Sequence, residues 1–324
     1  MILSPYPPFT WAKLFYFHII YFSMTFSFSL LQNSGILKAR TITFHELQKE
    51  GHCMPSYLAD YHTHTHLSGD SKSQLWENLN AACQAGIPEL CMTEHWNLLN
   101  QRGERLPTHY DFDAVLNQWA ALKDDWAHRV EVRVGIELGN STVDTAAVQA
   151  CLDFPELDFV IGSLHSVSLD LGGIGIFTYA KSCTDPQRAN SVLEDYIRQM
   201  EELAEDGTFD VLGHIIYPLR YFSPDFHLTL DPWQDRLDEI LRRVIHSGKG
   251  IELNTTQGTT VRQWLPLLTR YRELGGEILT LGSDAHRPQF IGAGFQEAAQ
   301  MLQHLGYRYV CTYRQRKPQF HSIR

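Results

Sequence analysis

Beyond residue 57 the sequence repeats one unit. A short apolar run ends in a polar residue of metal-ligand type, and a segment of helical periodicity follows. Glu89–Thr93 delivers Glu94 and His95, Val130–Ile136 delivers Glu137, and Asp158–Leu164 ends at His165. Phe209–Gly213 delivers His214, Gly250–Leu253 ends at Asn254, and Ile278–Gly282 delivers Asp284 and His286. A strand over Tyr57–Ala59 and a last strand over Tyr307–Thr312 frame the series. Strands that alternate with helices imply a parallel sheet with helical crossovers. Polar residues gathered at strand C-terminal ends are the mark of a βα barrel's active face. An open doubly wound sheet seldom draws site residues from so many strands, so a closed or nearly closed barrel is expected.

The intervening segments fit that scheme. Helices are predicted over Gln74–Ala85, stopped by Gly86, and over Asp111–His128, where Phe112, Val115, Leu116, Trp119 and Leu122 recur at helical spacing. Further helices are predicted over Val143–Leu152, Pro186–Glu205, Trp233–His246, Val261–Leu274 and Gly294–Leu305. Gly172–Gly175 is a glycine-rich loop without the Lys-Ser/Thr of a phosphate loop. Ile215–Leu230 is a long loop holding Pro218, Arg220 and Pro224.

The run Asp60-Tyr61-His62-Thr63-His64-Thr65-His66 carries the densest chemistry. Residues two apart on a strand share a face, so His62 and His64 project two imidazoles together. On its own the run also fits a surface histidine cluster. Asp284 and His286 repeat the same spacing. His62, His64, Asp70, His95, Glu137, His165, His214, Asp284 and His286 are all ligand types. A lone His165 or His214 reads as a capped loop histidine. Convergence on one barrel rim changes that reading. So many donors exceed the needs of one tetrahedral ion, which implies two or three ions around a shared carboxylate, with Glu137 the central acid.

Bulk properties narrow the partners. A formal net charge of −10 argues against a general nucleic-acid surface. Cys53, Cys83, Cys91, Cys151, Cys183 and Cys311 form neither a zinc motif nor a disulfide framework, which fits a reducing, cytoplasmic setting. Residues 1–53 differ from the rest. Trp11–Leu31 is apolar and aromatic, with Lys13 and His18 as interruptions. It reads either as a membrane leader or as sequence ahead of a true start at Met54. We favour the second, with the catalytic domain over 54–324; membrane association follows only if the segment is real.

His62-x-His64, Thr93-Glu94-His95, Gly135-Ile136-Glu137, Gly162-Ser163-Leu164-His165, Gly213-His214 and Gly282-Ser283-Asp284-Ala285-His286 resemble the successive motifs of the PHP (polymerase and histidinol phosphatase) superfamily, from about Leu58 to Gly292. Asp60-Tyr61-His62, Asp70-Ser71-Lys72, Arg220-Tyr221 and Ser283–Pro288 look most like its histidinol-phosphate phosphatase branch. The resemblance implies a distorted (β/α)7 TIM-like barrel and a trinuclear centre of divalent Zn, Fe or Mn. By motif, His62, His64, Glu137 and Asp284 hold one ion. Glu137, His165 and His214 hold a second, and Asp70, His95 and His286 a third. Asp70 stands where some members carry His, and His66 has no counterpart.

The activity so implied is hydrolysis of L-histidinol phosphate to L-histidinol and phosphate, a step of histidine biosynthesis. The alternative is a related phosphoesterase acting on another small ester or on nucleic-acid ends. A non-enzymatic metal-storing or regulatory module is a third reading, against which the intact ligand set argues. Metal ions lower the pKa of a bound water and clamp phosphoryl oxygens. Arg220 offers a bidentate fork for phosphate, and Asp284 or a nearby histidine such as His286 handles the proton. Asp170, Asp225, Asp231 and Lys181 lie in loops or on surfaces and read as turn, cap or solvated residues.

Overall fold

A computed structural model describes residues 57–324. The apolar segment Trp11–Leu31 and the expected start at Met54 lie outside the described residues. Among the described residues, no helix is long and apolar enough to cross a membrane.

Seven parallel strands form one sheet in sequence order: β1 (Asp60–Thr63), β2 (Glu89–Asn97), β3 (Glu131–Gly139), β4 (Phe159–Ser163), β5 (Val211–Leu212), β6 (Gly250–Asn254) and β7 (Leu279–Gly282). The sheet curls until its edges meet at the C-terminal rim. There the Asp284 N–H donates to His62 O (2.9 Å) and the His64 N–H to Ala285 O (3.0 Å). The barrel is therefore nearly closed, and its seam runs through the segments that carry His62, His64 and Asp284.

The helices are α1 (Leu75–Ala85), α2 (Phe112–Ala120), α3 (Lys123–Trp126), α4 (Thr145–Leu152), α5 (Ile176–Ser182), α6 (Pro186–Asp206), α7 (Gln234–His246), α8 (Leu265–Glu273) and α9 (Phe295–His304). Local signals set their ends. Gly86 closes α1 in the left-handed region at φ 69°. Asp185 accepts the Gln187 N–H, Pro186 occupies the first turn, and Gly207 stops α6. Helix α7 turns Leu237, Ile240, Leu241 and Val244 into the core.

Several elements differ from the sequence expectation. The first strand is Asp60–Thr63 rather than Tyr57–Ala59, so the histidine run itself enters the barrel. The helix expected over Asp111–His128 breaks in two, because Leu122 N–H bonds back three residues to Trp119 O and tightens the turn. Strand β5 is short because the Asp210 carboxylate takes the Val160 N–H (2.8 Å) that a longer ladder would use. Helix α5 was not expected. The terminal strand, β8 (Tyr309–Arg314), pairs antiparallel with an unexpected β9 (Lys317–Ser322) instead of joining the barrel. This hairpin stoppers the N-terminal end. Tyr313 packs with Phe159 inside the barrel, and its N–H donates to the Tyr61 hydroxyl (2.9 Å). Apolar side chains thus fill one end and leave polar groups to the other.

Candidate metal centre

All nine ligand-type residues named from the sequence meet at the C-terminal rim; seven of them line a cavity of about 120 Å³ together with Asn97, Gln101, Tyr217 and Tyr221, while His62 and His64 lie buried against Glu137 and Asp284. Glu137 is the hub. Its Oε2 lies 3.1 Å from His62 Nε2, 3.4 Å from His64 Nε2 and 2.6 Å from His95 Nδ1. Its Oε1 lies 2.9 Å from His165 Nε2 and 2.7 Å from His214 Nε2. Asp284 faces the first group, with Oδ1 3.7 Å from His62 Nε2 and 3.5 Å from His64 Nε2. Asp284 holds φ 58°, a left-handed conformation that Asp tolerates better than most residues. Asp70 sits at the mouth, its side chain 59% exposed, 3.3 Å from both His95 Nε2 and His286 Nε2.

The donor set fits divalent metal ions. His62 Nε2, His64 Nε2, His95 Nδ1 and Glu137 Oε2 are buried without a hydrogen-bond partner yet aim at shared space. Bonds of about 2.0–2.1 Å give a tetrahedral ion ligand edges of about 3.3 Å. The 3.1 Å between His165 Nε2 and His214 Nε2, and the Glu137–His62 and Glu137–His64 spacings, are of that size. His62, His64 and Glu137 cluster together, as do His95, Glu137 and His165. His64 also groups with His95 and His286, so it stands between two of the sets named from the sequence.

Electrostatics point the same way. Burial alone would raise the Glu137 carboxyl, but His62, His165 and His95 hold it well below the usual carboxylate range. Burial opposes charge on His95, yet Glu137 and Asp70 push it up to about 10. Burial, with His95 and His286 alongside, holds His64 well below its ordinary value.

Supporting side chains orient the imidazoles. His165 Nδ1 meets Asn97 Oδ1 at 2.7 Å, and His64 Nδ1 meets Ser68 Oγ at 2.9 Å. Glu94 lies beside the donor cluster but is spent on the loop after β1, where it accepts from Thr65 N–H, Thr65 Oγ1 and Ser68 Oγ. Sequence reading missed Glu252, a fully buried carboxylate 2.5 Å from His62 Nδ1. An acid in the middle of the apolar run Gly250–Leu253 was the available signal. Asn97 repeats the two-residue spacing from His95 and could have been found that way.

Arg220 enters from the loop after β5. Its side chain is 6% exposed, with Nη1 3.4 Å from Asp284 Oδ2 and Nη2 3.0 Å from Asn254 Oδ1. His66 is exposed and outside the cluster. Asp170, Asp225 and Asp231 lie in exposed single turns, and Lys181 packs over the Phe177 ring at 3.9 Å.

The PHP domain matches residues 60–256. This chain belongs to that family. Among its relatives are a histidinol-phosphatase of Lactococcus lactis, 24% identical over 261 residues, and a "probable histidinol-phosphatase" of Deinococcus radiodurans, 29% identical over 273 residues. The alignments cover 78% and 81% of this chain and 93% and 98% of the relatives. A crystal structure of the Lactococcus histidinol phosphate phosphatase, complexed with zinc, L-histidinol and phosphate, superposes with a TM-score of 0.70 at 23% identity. It covers 81% of this PHP chain and 98% of its own, and it establishes the shared barrel.

Proposed function

We propose that this PHP protein is a metal-dependent phosphomonoesterase that hydrolyses L-histidinol phosphate to L-histidinol and phosphate, in histidine biosynthesis. The observation that carries the reading is the gathering of two further carboxylates and six histidines around Glu137, with a buried arginine against Asp284. The histidinol-phosphatases among the relatives supply the substrate. His62, His64, Glu137 and Asp284 hold one divalent ion, Glu137, His165 and His214 a second, and Asp70, His95 and His286 a third. Two to three ions of Zn, Fe or Mn suit these donors, and a cytoplasmic setting suits the reaction.

Bound ions supply charge neutralisation and a nucleophile at neutral pH. The protein does the rest. Arg220 binds the phosphate through its guanidinium fork, because its Nη1 lies 3.4 Å from Oδ2 of Asp284, a residue that lines the cavity. Asp284 or His286 takes the proton given up by the attacking water and passes it to the departing alkoxide; His286 Nδ1 lies 3.6 Å from Asp284 Oδ1. Asp70 joins His95 and His286 across the mouth.

Phosphate release from L-histidinol phosphate and from a panel of sugar, nucleotide and aryl monoesters tests the reading, alongside metal analysis. L-Histidinol phosphate is expected to lead in kcat/KM. A different monoester preferred by orders of magnitude would overturn it. The same reading takes 54–324 as the catalytic domain, so a chain shortened to begin at Met54 should keep the activity.

A further inference from the structure

We propose that Glu252 is a positioning residue that fixes the tautomer and orientation of His62 and ties it to the His214 backbone across the barrel. The inference rests on the metal reading above. Strand β6 gives no ligand to the centre, yet its middle residue is a carboxylate only 1% exposed. A buried charge is costly unless partnered. Glu252 has a partner at each oxygen. Oε1 lies 2.5 Å from His62 Nδ1 and accepts from Asn254 Nδ2 at 3.2 Å. Oε2 accepts the His214 N–H at 2.8 Å. Both oxygens are thus spent within the protein, which makes Glu252 a support and not a ligand.

The consequence for His62 is specific. A carboxylate at Nδ1 keeps the proton there and leaves the Nε2 lone pair toward Glu137 and Asp284. The neighbouring strands make room for this contact. A Cβ on Gly282 would lie 2.1 Å from Glu252 Oε1, and one on Gly213 would lie 3.5 Å from Oε2 and 2.5 Å from Ile161 Cγ2. The carboxylate therefore lies beside two positions that carry no side chain. No amide can replace it, because both oxygens accept. In Glu252→Gln, one of the two N–H groups must face an NH2 group.

The test is zinc affinity of the full chain, measured by competition with a chelator, for wild type, Glu252→Gln and His62→Asn. Glu252→Gln should bind zinc 10–100-fold more weakly at its affected site. It should also change the visible absorption of the cobalt-substituted protein, which a merely structural defect would not. Equal affinity and an unchanged cobalt spectrum would overturn the inference while leaving the metal reading intact. Wild-type protein that takes up no zinc would overturn both. A measurement on wild type covers a variant that fails to fold. With ¹⁵N-histidine labelling, the His62 signal, assigned by its loss in His62→Asn, should show an Nδ1–H tautomer in the zinc form. An Nε2–H tautomer would refute the role.

Discussion

Gly282→Ala adds one methyl group at the place where β6 and β7 bring Glu252 against His62. The new Cβ would sit 2.1 Å from Glu252 Oε1, 3.1 Å from Glu252 Cδ and 2.6 Å from His62 Cβ. Ordinary van der Waals contact begins near 3.4 Å, so the carboxylate must retreat by about 1 Å. It cannot take His62 along, because His62 O is held by the Asp284 N–H at 2.9 Å. The 2.5 Å contact from Glu252 to His62 Nδ1 then stretches to the limit of a hydrogen bond. Overpacking of this kind costs about 1–3 kcal/mol. In a domain of this size that lowers Tm by roughly 2–12 °C. A displacement of about 1 Å away from the reacting atoms can cost about 10²-fold in rate, so with His62 no longer aimed by Glu252, kcat/KM for L-histidinol phosphate should fall by that order and bound metal should fall with it. Phosphate release, calorimetry and metal content after gel filtration read the three effects. Gly86→Ala is the control. It has φ 69° and no atom within 4 Å of its Cβ. It should lower stability by about 1–2 kcal/mol through backbone strain alone and leave turnover intact. If Gly282→Ala loses only stability, with full metal and normal kcat/KM, the linkage from Glu252 through His62 to the centre is wrong.

Arg220→Ala should raise KM by about 10–100-fold, the value of a charged hydrogen bond to phosphate, with metal content retained; an unchanged KM would remove Arg220 from the substrate site. Stripping metal with a chelator should lower Tm, and zinc at about 100 times its Kd should restore about 2.7 kcal/mol; a Tm indifferent to both treatments would contradict the ligand assignment. Alkaline pH should destabilise the fold. Burial pushes the Cys311 thiol up to about 12 and Cys91 well above its ordinary value. The unfolded thiols lose protons near pH 8.5 while the folded ones keep them. Stability therefore falls as pH rises above that point, by up to about 1.4 kcal/mol per pH unit for each thiol. Urea titrations of Cys311→Ala between pH 8 and 10.5 should show a shallower decline than wild type, and parallel slopes would refute the assignment.

The barrel was legible because each strand–helix unit carries its own signals. Pro186 and Gly207 bracket α6, Gly86 ends α1, and β2 and β4 carry buried runs, Leu90–Met92 and Phe159–Ile161, that are apolar on both faces. The clustering of the nine donor-type residues was legible for a related reason: they stand at or just beyond strand ends, where a donor type interrupts an apolar run. What escaped was set by tertiary contact. Helix α5 begins at Gly175, where a Cβ would collide with the Gln101 side chain from another loop. The β8–β9 hairpin depends on Tyr313 reaching Tyr61 and Phe159 inside the barrel. Nothing in the local periodicity of Tyr307–Thr312 distinguishes an eighth barrel strand from a stopper. The start of β1 was misplaced because Asp60 and His62 look too polar for a strand. Asp60 is buried all the same, since its carboxylate accepts from the backbone N–H groups of Ser283 (3.0 Å) and Gly292 (2.9 Å) across the seam.

Two imidazoles of the cluster are oriented by one recurring device. His62 is held by Glu252, beside Gly282, and His165 is held by Asn97, beside Gly139. A Cβ on Gly139 would lie 2.0 Å from Asn97 Oδ1 and 3.1 Å from His165 Nδ1, the counterpart of the clash at Gly282. In both places a polar side chain on one strand reaches the Nδ1 of a ligand on another element, through space that a neighbouring glycine leaves open. The contact fixes which nitrogen carries the proton and sends the Nε2 lone pair to Glu137. Ligand identity alone would allow each ring to turn about its own torsions. Two kinds of residue thus shape the cluster: those that end strands, which supply its donor atoms, and the small ones beside them, which leave room for whatever aims the donors.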